Sequence, residues 1–160
     1  MSGSAPDRFA ITEATPQSYA HVRRAARIAE IPGVMTESFA TLAAAFAKAG
    51  AAFSGPPLTH YLSYDAESCA FAVGFPAPRE KLDALREAGL TIGETVSGPV
   101  MTGRHVGPYD TLASTYTAMQ AEMKAKGIEG AVDMWEIYMS PPGTPPDELV
   151  TEVIWPVRRS

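Results

Sequence analysis

A carboxylate among aromatic and apolar side chains is the feature of this sequence with the clearest chemical potential. Residues 134–138 read Met-Trp-Glu-Ile-Tyr, a composition that favours a β-strand. With the two-residue period of a strand, Met134, Glu136 and Tyr138 point to one face. A thioether, a carboxylate and a phenol together have the composition of a pocket wall. The opposite face carries three apolar side chains of the kind expected in a core: Trp135, Ile137 and Met139.

Glu136 needs a physical explanation, because a buried carboxylate without a partner is strongly destabilising. Four explanations are open at this point. The side chain lies at a solvated strand edge, pairs with a protein cation, is protonated, or receives a ligand. The candidate protein cations are Arg23, Arg27 and Arg104.

Length and composition indicate one globular domain covering residues 1–160. The chain has 46% hydrophobic and 19% charged residues, which is typical of a folded protein. A net charge of -5 argues against a nucleic-acid-binding surface and mildly favours cationic small molecules. The one basic cluster, formed by Arg23, Arg24 and Arg27, is interpreted as a solvated face.

The remaining residues with reactive side chains lack the spacing of known sites. Cys69 is expected to be a small core residue. His21, His60 and His105 have no metal-ligand spacing, so neither a metal nor a cofactor is expected. His105 precedes a predicted helix and is either a polar group satisfied at that helix start or a catalytic base. No targeting or membrane-spanning segment is recognisable, which favours a cytoplasmic location.

The two halves of the chain, about residues 8–76 and 94–157, share one order of elements. Each predicts an extended segment, an amphipathic helix that ends at a glycine, and two strands. In the first half these are residues 18–30, 36–49 with Thr36 as a plausible N-cap, 58–64 and 69–75. In the second half they are residues 94–106, 109–126, 131–139 and 149–155, the last stopped by Pro156. Residues 9–14 are an added strand, and residues 79–88 are a short helix.

This order predicts an α+β fold of two βαββ repeats. Each repeat alone would expose an apolar sheet face, so the two should pair into a mainly antiparallel sheet with both helices on one side. A ligand cleft is expected between the halves. Tyr61 corresponds to Glu136 by its position in the repeat, and strand alternation places Tyr61 and Tyr64 on opposite faces, so only one of them can share a cavity. Core packing of Tyr61, with its hydroxyl hydrogen-bonded at the rim, is the alternative interpretation. Residues 1–6 and 158–160 are expected to fray.

An ordered set of motifs resembles the GyrI-like effector-binding domain, found in bacterial multidrug regulators and as stand-alone proteins. The motifs are Gly55-Pro56-Pro57 followed by Tyr61, His105 to Asp110, Trp135 to Tyr138, and Thr151 to Pro156. The resemblance implies two βαββ units related by a pseudo-twofold axis. It also implies a site for bulky aromatic cations, in which Glu136 faces the cation. Tyr61, Tyr138 and Trp155 would form the walls, and Tyr109 belongs to the motif.

Three functions follow from this resemblance. The favoured one is non-enzymatic binding of hydrophobic, cationic small molecules for drug sensing, sequestration or resistance. The second is hydrolysis of reactive cyclopropane-containing compounds, with Glu136 positioning or deprotonating water. The third is binding to a protein partner, either a regulator or DNA gyrase. Because only a few residues precede Phe9, no attached DNA-binding domain and no direct DNA binding are expected.

Overall fold

The computed structural model describes residues 9–141 and 143–159. In this part of the chain, nine strands and three α-helices form an α+β protein, as the sequence predicts. The strands are β1 (Phe9–Ala14), β2 (Ser18–Arg27), β3 (Leu58–Tyr64), β4 (Ser68–Pro76), β5 (Thr91–Glu94), β6 (Gly98–Val106), β7 (Ile128–Gly130), β8 (Met134–Tyr138) and β9 (Val150–Arg159). The helices are α1 (Ile31–Ala49), α2 (Leu82–Glu87) and α3 (Leu112–Lys126). No helix among the described residues is both long and apolar enough to cross a membrane.

Backbone contacts concentrate within two compact units. The first unit is Thr15–Val96, and the second combines the described parts of Met1–Ala14 and Ser97–Ser160. The predicted order of elements is confirmed in each: β2, α1, β3 and β4 in the first unit, and β6, α3, β8 and β9 in the second. The predicted strand over residues 94–106 is instead two strands, β5 and β6, which belong to different units.

In the first unit the antiparallel strand order is β3-β4-β2-β5. Helix α1 covers one face of these strands, and its buried Leu42 and Phe46 belong to the same core as Phe71 and Val73 of β4. The helix begins five residues before the predicted Thr36, at Ile31. Pro32 is compatible with this start because the first helical turn needs no backbone donor.

Helix α1 ends at Gly50 as predicted. Gly50 adopts the left-handed conformation with φ 65°, which a residue without a β-carbon reaches at little cost. Thr36 is not the N-cap, since it lies inside the helix and its hydroxyl donates to the Pro32 carbonyl oxygen at 3.1 Å. The predicted short helix over residues 79–88 is a 3₁₀ turn, Arg79–Lys81, followed by α2.

A β-bulge in β3 changes which face its tyrosines occupy. Tyr61 pairs with Phe71 and Tyr64 pairs with Cys69, with the register shift between Tyr61 and Ser63. Phe71 and Cys69 both belong to the core under α1. The prediction that Tyr61 and Tyr64 lie on opposite faces was therefore wrong, because one extra residue in a strand inverts the alternation that follows it.

In the second unit the order is β1-β6-β9-β8, and β7 pairs with the end of β9. The predicted stop at Pro156 was wrong because Gly130 pairs with Val157, so β9 continues to Arg159. Arg158 is not frayed, since its Nη2 lies 3.0 Å from a carboxylate oxygen of Glu129. Arg159 is not frayed either, since it pairs with Ile128. The remaining residues expected to fray, 1–6 and 160, lie outside the described residues.

His21 is a buried imidazole on the face of the first unit opposite α1. Its side chain is 3% exposed, and its ring stacks on Tyr19 with centroids 4.6 Å apart. Burial first, then the charges of Arg23 and His60, lower the pKa of His21 from 6.5 to about 4. Burial also raises the pKa of the Tyr19 phenol to about 12. Neutral forms of both rings are therefore favoured near pH 7.

We expect His21 to make the protein less stable as the pH falls from 6.5 to about 4. In that window the unfolded chain binds a proton at His21 and the folded chain does not, so the free energy of unfolding falls with pH. Above the window the imidazole is neutral in both states and contributes no pH dependence. The full difference is about 3 kcal/mol.

Urea denaturation across this pH range tests the expectation, with His21→Gln compared against His60→Gln. The cationic and titratable groups around His21 are Tyr19 and Arg23 on β2 and His60 on β3. Directly opposite His21, β4 and β5 contribute Gly74 and Thr91, which do not titrate. The acid-induced loss should shrink strongly in His21→Gln and only slightly in His60→Gln, which removes the smallest of the three causes of the lowered pKa. Equal slopes for wild type and His21→Gln would contradict it.

Candidate functional site

Strand β8 places Glu136 on the face of the second unit that α3 covers. Glu136 pairs with Val153 of β9, and Val153 pairs with Gly103 of β6. Directly paired residues of neighbouring strands project to the same face. A β-carbon added at Gly103 would lie 2.9 Å from the Met119 sulfur of α3. The absence of a side chain at Gly103 therefore lets α3 approach the sheet closely.

Two tyrosine hydroxyls bind the Glu136 carboxylate. The side chain of Glu136 is only 5% exposed. The Tyr116 hydroxyl, from α3, donates to Oε2, and the Tyr138 hydroxyl donates to Oε1 at 3.0 Å. Hydrogen bonds to an ionised acceptor are stronger than those between neutral groups. The two phenols therefore offset part of the cost of burying the carboxylate.

Two further aromatic rings support these tyrosines. Trp155 lies edge-to-face against Tyr116, with centroids 6.0 Å apart and planes at 86°. Its Nε1 donates to the Ala131 carbonyl oxygen at 2.8 Å, which fixes the ring. Tyr109 lies edge-to-face against Tyr138, at 5.8 Å and 80°. We call the group that these contacts connect the tyrosine–glutamate site: Glu136, Tyr109, Tyr116, Tyr138 and Trp155.

The negative charge of Glu136 extends to the surface of this site. Tyr109 is 51% exposed, so its phenol is the part of the site that solvent reaches most easily. Partial burial raises the pKa of Tyr109, and the charge of Glu136 raises it further. The negative potential that disfavours the Tyr109 phenolate would attract a cation at the same place.

Four of the five residues expected to bind a ligand lie in this second unit: Glu136, Tyr138, Trp155 and Tyr109. The fifth, Tyr61, lies on β3 of the first unit and packs against the core under α1, with its ring 6.0 Å from that of Phe71. Tyr61 and Glu136 each lie on the helix-covered face of their own unit. This agrees with their equivalent positions in the repeat.

Tyr116 is the site residue that the sequence did not single out. Its spacing of three or four residues from Leu112 and Met119, with Met123 one turn further, predicts only an apolar stripe along α3. A phenol in such a stripe was a usable signal, because the face that packs on the sheet also faces Glu136. None of the four explanations considered for Glu136 included two neutral hydroxyl donors.

Both ring nitrogens of His105 form hydrogen bonds at the beginning of α3, which agrees with the interpretation of His105 as a polar group satisfied at a helix start. Its Nδ1 lies 2.8 Å from the Thr115 hydroxyl, and its Nε2 lies 2.9 Å from the Thr111 hydroxyl. Arg104 pairs with Glu152 and therefore projects to the face opposite Glu136. Among the described residues, no group of three or more His, Cys, Asp or Glu side chains could hold a metal ion.

We expect Tyr116→Phe to destabilise the protein by about 1–3 kcal/mol, because a buried charged acceptor loses one of its donors. Tyr64→Phe is the matched control, since the Tyr64 side chain is 58% exposed and its change should stay within about 0.5 kcal/mol. Urea denaturation at pH 7 measures both. Equal stabilities of the two variants would show that the Tyr116 hydroxyl contributes nothing.

Comparisons with known proteins agree with this architecture. A family model described as the GyrI-like small molecule binding domain matches residues 36–158. The C-terminal domain of EcmrR superimposes with a TM-score of 0.75 at 15% identity, covering 95% of this chain and 98% of that one. SAV2435 bound to tetraphenylphosphonium gives 0.70 at 9% identity, covering 94% and 93%.

A third similar structure, a hydrolase from Listeria innocua, has a TM-score of 0.69 at 17% identity and covers 96% and 94% of the two chains. At these identities the structural matches establish a shared fold. A search of curated protein sequences gave no significant match.

Proposed function

The chain belongs to the GyrI-like small molecule binding domain family, and we propose that its tyrosine–glutamate site binds bulky aromatic cations. The observation that supports this proposal is the buried Glu136 carboxylate with tyrosine hydroxyls on both oxygens. Hydroxyl donors stabilise an ionised carboxylate without cancelling its charge. A cation close to these two oxygens is therefore attracted by the carboxylate.

The aromatic rings of the site supply the second part of the interaction. A cation over a tyrosine or tryptophan ring gains about 0.5–2 kcal/mol. Neither this contact nor the attraction to Glu136 requires one ligand shape, so the site should accept a range of flat or globular aromatic cations. The similar fold of SAV2435, solved with tetraphenylphosphonium, supports this ligand class.

Two ions of the same shape and opposite charge test the proposal. Tetraphenylphosphonium and tetraphenylborate present the same four phenyl rings, so their difference isolates the charge. Isothermal titration of the full chain should show saturable binding of the phosphonium and binding of the borate that is at least about tenfold weaker. Equal affinities would mean that the site selects apolar surface alone, and no binding of either ion would refute the proposed ligand class.

Hydrolysis of a strained xenobiotic ring is the second candidate function, favoured by the contact of Glu136 with two phenols. Glu136 would accept a proton from water as the new carbon–oxygen bond forms. In the same step the carbon–carbon bond of an activated cyclopropane would break at the attacked carbon, and its electron pair would take a proton from a neighbouring phenol. The proton accepted by Glu136 would then restore that phenol. Mass spectrometry of such a substrate decides the point. Loss of substrate at the rate measured without protein would exclude catalysis.

We propose that the protein binds these cations in the cytoplasm, for drug sensing, sequestration or resistance. A protein partner, either a transcription regulator or gyrase, is a further prediction of the sequence. Pull-down of purified gyrase, with and without tetraphenylphosphonium, would test that partner directly. A ligand-dependent difference would support sensing.

A further inference from the structure

The face of the first unit opposite α1 brings three basic side chains around two small residues. Arg23 and His60 both pair with Ala72, so they flank it in one row across β2, β4 and β3. In the adjacent row His21 pairs with Gly74. We call His21, Arg23 and His60 the basic cluster.

This face carries basic side chains and no acidic ones among the described residues. The side chains on this face follow from the alternation along β2, β3, β4 and β5. None of those that the structure describes is Asp or Glu. Arg23 is exposed. Its charge and that of His60 both act on His21, lowering the pKa of the imidazole. A local excess of positive charge in a chain with net charge -5 favours an anion at this place.

His21 adds a directed donor to that charge. A β-carbon built on Gly93 of β5 would lie 3.1 Å from Nε2 and 3.5 Å from Cδ2 of His21. Nδ1 is the ring atom farthest from that edge, so it points away from β5. It is buried and has no hydrogen-bond partner among the described residues. In a native protein a buried polar atom without a partner calls for an explanation such as a bound ion.

We propose that the basic cluster binds an oxyanion, a carboxylate or a phosphate group, between Arg23 and His21. The guanidinium of Arg23 can donate two parallel hydrogen bonds to such a group. A neutral imidazole with its proton on Nδ1 donates a third. The α-carbons of Arg23 and His60 are two strand spacings apart, about 10 Å, so both side chains are long enough to approach one anion held between them. This site takes the opposite charge to the tyrosine–glutamate site and does not depend on it.

Nuclear magnetic resonance of the 15N-labelled imidazoles tests the proposal in the full chain at pH 7. Inorganic phosphate, and separately acetate, is titrated at constant ionic strength. We expect a saturable shift of the His21 resonances. The anion that binds with the higher affinity indicates whether the site prefers a phosphate or a carboxylate. Occupancy should also raise the pKa of His21, because a bound anion stabilises the imidazolium.

Two arginine variants provide the specificity control. Arg23→Gln should weaken anion binding about tenfold or more, since it removes a charged donor. Arg24→Gln makes the same change of net charge on the opposite face of β2, where Arg24 pairs with Phe71, and should leave the affinity unchanged. Equal weakening in both variants would mean an adventitious ion only. Absence of a saturable shift with either anion would also overturn the proposal.

Discussion

Replacing Glu136 with Gln is expected to weaken tetraphenylphosphonium binding by about ten- to a hundredfold. Loss of a desolvated charged contact costs about 1.5–3 kcal/mol, and each 1.4 kcal/mol is a factor of ten in affinity. Glutamine keeps the shape of glutamate, so the contacts of the phenyl rings should remain. Affinity for tetraphenylborate should stay the same or rise. Isothermal titration with both ions measures the two effects together.

Glu152→Gln is the matched control for this variant. Glu152 lies on the neighbouring strand β9 and pairs with Ile137, so it projects to the opposite face from Glu136. Its substitution changes the net charge equally. It should reduce phosphonium affinity by less than about twofold, since Glu152 is half-buried on the face away from the site and its charge acts on the ligand only over a distance at which salt screens it. Equal loss in the two variants would assign the effect to net charge and refute a specific role for Glu136.

Tyr109 gives an independent measurement on the same variant. Partial burial and then the charge of Glu136 raise the pKa of Tyr109. Glu136→Gln should therefore lower that pKa while leaving the contribution of burial in place. Ultraviolet titration of tyrosinate, with Tyr109→Phe to identify the signal, detects the change. An unchanged Tyr109 pKa would mean that the Glu136 charge does not reach the entrance of the site.

The central residue of the site could be predicted because strand alternation is a local property. Five residues were enough to place Met134, Glu136 and Tyr138 on one face, and the strand pairing confirms the shared face of Glu136 and Tyr138. The opposite face was predicted less well: Trp135 is buried as expected, but Met139 is exposed. Alternation gives the direction of a side chain and not what covers it.

The partners of Glu136 depended on packing between elements far apart in the sequence. Tyr116 reaches the carboxylate because α3 approaches β6 where Gly103 has no side chain. Neither the helical period of α3 nor the isolated Gly103 indicates that distance. The bulge after Tyr61 and the extension of β9 past Pro156 likewise depend on a partner strand. The sequence of one segment does not identify the strand that pairs with it.

Gly74→Ala is the second change with a large expected effect, and it acts on the first unit. A β-carbon at Gly74 would lie 2.2 Å from the Ala20 carbonyl oxygen and 2.8 Å from the β-carbon of His21. Both atoms are close to the backbone of the paired strand β2, so no side-chain rotation relieves the overlap. Strands β2 and β4 would have to separate, which weakens backbone hydrogen bonds. We expect a loss of about 3 kcal/mol or more in the free energy of unfolding.

Gly33→Ala makes the same chemical change where the structure leaves space. No atom lies within 4 Å of a β-carbon built there, and Gly33 lies inside α1. Alanine should therefore stabilise the helix by about 0.5–1 kcal/mol. Urea denaturation of the two variants would give shifts of opposite sign. A Gly74→Ala protein within about 1 kcal/mol of wild type would show that β2 and β4 can separate at low cost. The close pairing that holds His21 beside Gly74 would then not be needed for stability.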